Sequence, residues 1–252
     1  MKIIVIGGTG MIGTQLVSNL RLHHYEVIAA APANGINSVT GEGLADALSG
    51  AEVIVDVSNA PVYNESLQFF ETSGNNLVEA ARKAGVKHYI VLSIVGTPQL
   101  TESNYFRAKA NQESIVRNSG IPYTIVRATQ FFEFLGTLAD LYTQEGIIHL
   151  TPATVQPISS ADVAFELAKT ALSAPLNGIK NIAGPERFIL PEIVARYLQK
   201  IGDSRKVITD DKIGYDGVFV NDARLSPEFP DWVAAQTFDS WFAESSAKSL
   251  NA

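Results

Sequence analysis

The chain has 252 residues, 46% hydrophobic and 18% charged, with a net charge of −7, a pI near 5.1 and no cysteine. That size and composition suit one large globular domain, or one domain with a smaller lobe, able to bury a sizeable core. The acidic balance and scattered Lys and Arg argue against a nucleic-acid surface, and the missing cysteines exclude disulfides and thiolate chemistry.

The opening "MKIIVIGG" passes from one Lys into a five-residue apolar run that ends in glycines, too short for a signal peptide. No segment approaches the roughly 18 apolar residues of a membrane span, so the expectation is a cytoplasmic protein with no membrane partner. His23, His24, His88 and His149 show no ligand spacing with carboxylates, and no metal site is expected. "KIIVIG" (2–7) reads as a buried strand and "TGMIGTQLVSNLRLHH" as the helix after it. "YEVIAAA" (25–31) is a second strand, "GEGLADALSG" a short helix and "AEVIVDVS" (51–58) a third strand. A helix over 64–85 stops at Gly85, followed by a fourth strand over 86–96, a helix over 102–119 and a fifth strand, "IPYTIVRA" (121–128). Strands rich in Val and Ile, each followed by a helix, predict a doubly wound parallel sheet of Rossmann type, with ligands beyond the carboxyl ends of the strands.

After residue 128 the pattern loosens. "QFFEFLGTLADLYTQEG" predicts a helix, "IIHLTP" a short strand, "SADVAFELAKTALSAP" a helix capped by Ser160, and "GIKNIAGPE" a strand and turn. "LPEIVARYLQKIG" reads as a helix with Pro191 near its start, "KVIT" and "GVFV" as short strands, and a last helix falls near 230–245 before a polar tail, "ESSAKSLNA", expected to fray. With no repeat or linker, the expectation is a single domain over 1–252 carrying a small C-terminal substrate lobe drawn mainly from about 185–252.

"IGGTGMIG" sets Gly7, Gly10 and Gly13 as G-x-x-G-x-x-G between a strand and a helix, the context a dinucleotide loop needs. Gly7 permits the tight turn, Gly10 a close approach to pyrophosphate, and Gly13 close helix packing. Thr9, Met11 and Ile12 complete the phosphate-binding set, through N–H groups at the helix start. The acidic residue expected about 20 positions on is missing, since none stands between Glu26 and Glu42. That favours NADP, with NAD possible, because no carboxylate repels a 2′-phosphate and no Arg or Lys grips one.

The glycine loop, Ser93 at the fourth strand's end and Tyr105 four residues before Lys109 resemble the short-chain dehydrogenase/reductase superfamily. "GGTGMIG", "YFRAKANQESIVRNSGIPYTIVRATQFFEF", "QPISSADVA" and "NIAGPE" are similar to its atypical, NmrA-like branch of NAD(P)-binding proteins over about residues 1–190. The resemblance implies Tyr105 as acid/base, Lys109 as ribose anchor and the cation that lowers the Tyr105 pKa, and Ser93 as the group orienting a substrate carbonyl. It also implies cofactor contacts from Ser58, Asn59 and Ala60 after the third strand and from Ala128, with Thr129 a possible neighbour, at the end of the fifth. Phe131, Phe132, Phe134 and Leu135 would offer an apolar wall, or plain core. Asp162 reads as support for a helix start.

The function implied is hydride transfer from NAD(P)H to a small carbonyl or quinone-like substrate. The alternative is a non-catalytic, NmrA-like redox sensor. A nucleotide-sugar epimerase ranks last, because the C-terminal lobe looks short for a sugar nucleotide. The expected partner is a small molecule rather than nucleic acid, and a homodimer is left open.

Overall fold

A computed structural model describes residues 1–249 of the chain, with side chains to residue 247. The chain divides into two compact units, the first formed by Met1–Arg127 and Val163–Lys180, the second by Ala128–Asp162 and the chain from Asn181 onward. The second unit therefore takes in 128–162 as well as the C-terminal stretch expected to form the lobe.

In the first unit, β1 (Lys2–Ile6), α1 (Met11–Leu22), β2 (Glu26–Ala30), α2 (Leu44–Leu48) and β3 (Val53–Asp56) follow in order. Next come α3 (Ser66–Ala84), β4 (His88–Ile94), α4 (Asn104–Arg117) and β5 (Tyr123–Ala128), whose last residue opens the second unit. β1 pairs in parallel with β2 and with β3, and β3 in parallel with β4. Ile3, Ile4, Val5, Ile54, Val55 and Ile90 have no exposed surface, because these strands are covered on both faces. α3 turns Phe70, Leu77, Val78 and Ala81 inward at helical spacing and ends on Gly85, whose φ of 70° is the left-handed conformation that stops a helix. Gly74 lets α3 approach α4, since a Cβ there would already lie 3.3 Å from Ile115. Fully burying a side chain such as Leu77 contributes roughly 1.5–3 kcal/mol, and Leu77→Ala would cost about 2–5 kcal/mol. α4 starts at Ser103, whose Oγ accepts the Phe106 N–H at 3.1 Å.

The second unit contains α5 (Leu135–Leu141), β6 (Thr143–Gln144), β7 (Ile147–Leu150) and β8 (Thr154–Val155), and α6 (Ser160–Ala171) begins in it. β9 (Gly178–Ala183), β10 (Phe188–Ile189), α7 (Leu190–Ile201), β11 (Lys206–Thr209), β12 (Trp232–Val233) and α8 (Phe238–Ser249) complete the chain. The main sheet runs β12-β9-β5-β4-β3-β1-β2, beside a three-stranded β11-β7-β6 sheet and a β10-β8 pair. The Rossmann-type reading is borne out. Phe132, Phe238 and Trp241 pack an aromatic core in the second unit, with ring centroids 5.2–6.0 Å apart.

Several expectations in this half differ from the structure. The helix foreseen over 130–146 is a 3₁₀ turn at Phe132–Phe134 and then a short α5, because Glu145 and Gly146, at φ 49° and 81°, make a two-residue hairpin between β6 and β7. "GVFV" forms only the isolated Tyr215–Val218 bridge around Asp216 and Gly217. Residues 232–233 are strand, and the last helix starts at Phe238 and runs on through 244–249, where fraying was expected; 250–252 lie outside the described residues. α6 is capped by Ser159, not Ser160: Ser159 Oγ accepts the Asp162 N–H at 3.1 Å and donates to its carboxylate at 2.9 Å. Asp162 thus supports the helix start as expected. Among the described residues no helix is long and apolar enough to cross a membrane.

Candidate active site

The glycine loop follows β1 directly. Gly7 sits at φ 76°, and a Cβ there would come within 2.9 Å of the Ser58 backbone, so glycine is required both by the turn and by the close approach of the segment after β3. A Cβ on Gly13 would lie 2.1 Å from the Gly7 carbonyl oxygen, and one on Gly8 2.7 Å from Ala29 Cα. Gly10 is different: a Cβ there meets only the Gly7 oxygen, at 3.3 Å. Three glycines are thus demanded by the chain's own packing, and the fourth keeps an open approach clear. Gly10 is also the N-cap of α1, with no side-chain cap and no acidic residue in the first turn. The N–H groups of Met11 and Ile12 stand at the positive end of the helix dipole, and Thr9 and Met11 are exposed beside them. These residues fit a dinucleotide pyrophosphate.

The segment after β3 is organised by Asp56, which is 1% exposed. Its Oδ1 accepts the Ser58 N–H at 3.0 Å and the Ser58 hydroxyl at 2.6 Å. Asn59 then turns its Oδ1 to the Ala60 N–H at 3.0 Å and to the Tyr105 hydroxyl, which donates at 2.8 Å. Ser58, Asn59 and Tyr105 are therefore brought together, with the Ser58 backbone close against Gly7. The Tyr105 ring is held by Tyr63, stacked at 5.5 Å and 16°, and edge-on by Phe70 at 6.3 Å. Burial pushes the Tyr105 pKa up to about 12, against a smaller lowering by the Asn59 bond.

Lys109 finds other hydrogen-bond partners than the phenol. It lies one turn on in α4, 4% exposed, and its Nζ donates to the Leu92 carbonyl at 2.8 Å and to Gln112 Oε1, while standing 4.4 Å over the Phe70 ring. Gln112 Nε2 donates in turn to Asp56 Oδ2 at 2.9 Å. Lys109 thus reaches the Asn59 turn through Gln112, Asp56 and Ser58. Desolvation draws its pKa down to about 8, opposed by the Asp56 and Glu113 carboxylates. The phenol's pKa moves up, not down as expected, because its desolvation dominates.

Ser93, at 2% exposure, donates to Glu113 Oε1 at 2.6 Å. Arg127 grips the same carboxylate with bonds of 2.8 and 2.6 Å. The Ser93 hydroxyl is thereby joined to a buried ion pair in the structure.

In the second unit, Ala128 is buried and Thr129 donates to the Gln156 carbonyl at 2.6 Å. Phe132 and Leu135 are core, whereas Phe131 and Phe134 stack at 5.6 Å with Phe134 45% exposed. Sequence reasoning missed Asp56, Gln112, Glu113 and Arg127, and Tyr63 as the stacking partner. The available signal was a carboxylate at the end of an otherwise apolar strand and a Gln-Glu pair on a helix face turned inward.

Residues 7–173 match the NAD(P)H-binding family. The chain belongs to that family. The NAD(P)-binding part of the resemblance is thereby borne out. It is 31% identical over 79% of its length to divinyl chlorophyllide a 8-vinyl-reductase of Cucumis sativus, of which it covers 57%. It is 26% identical over 82% of its length to photosystem II assembly factor Ycf39 of Cyanophora paradoxa, covering 71% of that protein. Among solved structures it is similar to MoeE5 in complex with UDP-glucose and NAD, at a TM-score of 0.73 and 15% identity, covering 99% of this chain and 100% of the other. It is also similar to the NADPH-dependent quinone oxidoreductase QOR2 of Escherichia coli, at 0.66 and 22%, covering 83% and 78%. At such identities these two establish the fold.

Proposed function

We propose that the chain is an NAD(P)H-dependent reductase of small carbonyl or quinone-like compounds, with Tyr105 as proton donor. The observation that carries this reading is the Tyr105 hydroxyl held at 2.8 Å from Asn59 on the segment that packs against the glycine loop. When bound, the cofactor supplies the hydride. The chain's own share is to hold the diphosphate, through the loop from Gly7 to Gly13, and to hold a proton on the phenol. With a pKa of about 12, Tyr105 stays protonated at neutral pH, ready to give a proton rather than take one. Lys109 is a positioning residue here, acting on the Asn59 turn through Gln112 and Asp56. NADP is the proposed cofactor form, because no carboxylate follows β2: the chain continues Ala31-Pro32-Ala33-Asn34.

The test is NADPH oxidation over a panel of aldehydes, ketones and quinones, for the native chain and for Tyr105→Phe. The expected result is turnover on at least one class, falling by about 10²–10⁴ in the variant. Unchanged turnover in Tyr105→Phe would remove the phenol from the reaction.

A second reading, a cofactor-binding regulator without turnover, is favoured by one observation: the Lys109 ammonium is spent on Leu92 and Gln112 rather than on activating the phenol. Tight NADPH binding without oxidation across the whole panel would select it.

A further inference from the structure

Asn59, Phe70 and Tyr63 all meet the phenol of Tyr105 within the first unit. The hydroxyl donates to Asn59 at 2.8 Å, and the ring meets Phe70 edge-on at 6.3 Å. Tyr63 lies nearly flat on it, with centroids 5.5 Å apart and planes 16° apart. Phe70 belongs to the core and has no exposed surface. Tyr63 does not: it is 49% exposed and opens the 3₁₀ turn Tyr63–Glu65, in a run, 61–65, that is exposed throughout.

A half-exposed tyrosine on such a turn adds little to the core, yet this one is held in place. Its carbonyl accepts the Ser66 hydroxyl at 2.5 Å, and Ser66 is buried at the first position of α3. Pro61, whose own ring fixes φ, lies midway between Asn59 and Tyr63. One short stretch of chain thus reaches the phenol twice, with Asn59 at the oxygen and Tyr63, four residues on, over the ring. The two contacts control different things. Asn59 sets the direction of the O–H. A parallel ring gives a proton no direction; it covers a face of the phenol and displaces water that would solvate a phenolate. Of the two rings against Tyr105, Tyr63 is the one that also reaches solvent.

We propose that Tyr63 is a positioning residue for Tyr105, which together with Asn59 grips the phenol at two points and shields it from water. A proton held in this way passes to a substrate oxygen rather than to solvent. That consequence for turnover rests on Tyr105 being the proton donor, whereas the grip itself does not.

The test uses the full chain with Tyr63→Phe, which keeps the ring, and Tyr63→Ala, which removes it. Both variants are expected to unfold within a few degrees of the native chain, because position 63 is on an exposed turn. The first readout is the ultraviolet titration of Tyr105, taken in each background as the difference from the same background carrying Tyr105→Phe. Ionisation is expected near 12 in the native chain and in Tyr63→Phe, and shifted towards the ordinary phenol value of about 10 in Tyr63→Ala. The second is NADPH oxidation, in which Tyr63→Ala should lower kcat about tenfold with KM for NADPH little changed, and Tyr63→Phe should keep the native kcat. Ionisation still near 12 in Tyr63→Ala, or moved equally in Tyr63→Phe, would overturn the proposal. So would a fall of many degrees in unfolding temperature, which would make Tyr63 framework, or a native kcat in Tyr63→Ala where Tyr105→Phe abolishes turnover. A shifted ionisation in Tyr63→Ala, with turnover that Tyr105→Phe leaves unchanged, would keep the grip and remove the proton donor.

Discussion

Lys109 and Gln130 are both long polar side chains withdrawn from water, at 4% and 9% exposure, one in each unit of the chain. Lys109 has a carbonyl, an amide oxygen and an aromatic face around its ammonium, and Gln112 extends the connection to Asp56. The Gln130 amide has no hydrogen-bond partner among the described residues. The physics behind the contrast is the size of the penalty. An unpaired ammonium in a low-dielectric interior costs many kcal/mol or gives up its proton, whereas an unpaired neutral amide costs only a few and can be retained. A buried polar group that has found its partners is framework, and an unpaired neutral one is a cost the fold carries. The same contrast separates Ser93, which donates to Glu113, from Tyr105, which is half-buried among aromatic rings and donates to Asn59.

The contrast breaks most visibly if the framework side is wrong. Glu113→Ala leaves Arg127 and Ser93 without their carboxylate, and the expected loss is about 3–5 kcal/mol, read as a lower denaturant midpoint. A loss below about 1 kcal/mol would remove the ion pair from the framework. Lys109 allows a sharper test through pH. Its pKa falls from 10.5 to about 8 on folding, so between those values the unfolded chain holds the proton that the folded chain has released. Stability therefore rises as pH climbs from about 8 to 10.5, by roughly 3 kcal/mol from this group, and that rise should vanish in Lys109→Met. An identical pH slope in both proteins would mean the lysine is not desolvated. The smallest expected effect concerns the cofactor: NADPH should bind about tenfold more tightly than NADH, and equal affinity would show that a missing carboxylate after β2 is insufficient to discriminate.

The first unit was legible in the sequence because its signals are local. Alternating Val- and Ile-rich runs and amphipathic stretches marked β1 through β5 and the helices between them, and Gly7, Gly10 and Gly13 announced their loop by spacing. Tyr105 and Lys109 were rightly placed one turn apart, but spacing along a helix does not say where a long side chain ends. Lys109 turns to a carbonyl on β4, and its partner's partner, Asp56, lies 56 residues from Gln112 in the chain. Ser93 finds Glu113 twenty residues on, in a pairing set by how α4 lies on β4. In the second unit the missed hairpin rests on Glu145 at positive φ, a conformation that a non-glycine residue seldom adopts and that composition does not reveal. The choice between Ser159 and Ser160 as the α6 cap depended on a single residue of register.

The claim at the centre of this account is that the Tyr105 phenol is kept neutral by its burial. The most direct measurement is the ultraviolet titration of phenolate absorbance in the native chain minus that in Tyr105→Phe. The account predicts no phenolate signal from Tyr105 between pH 7 and about 10, with ionisation only towards about 12. Ionisation centred below about pH 9 would contradict it, because a phenol that acid requires a cation beside it.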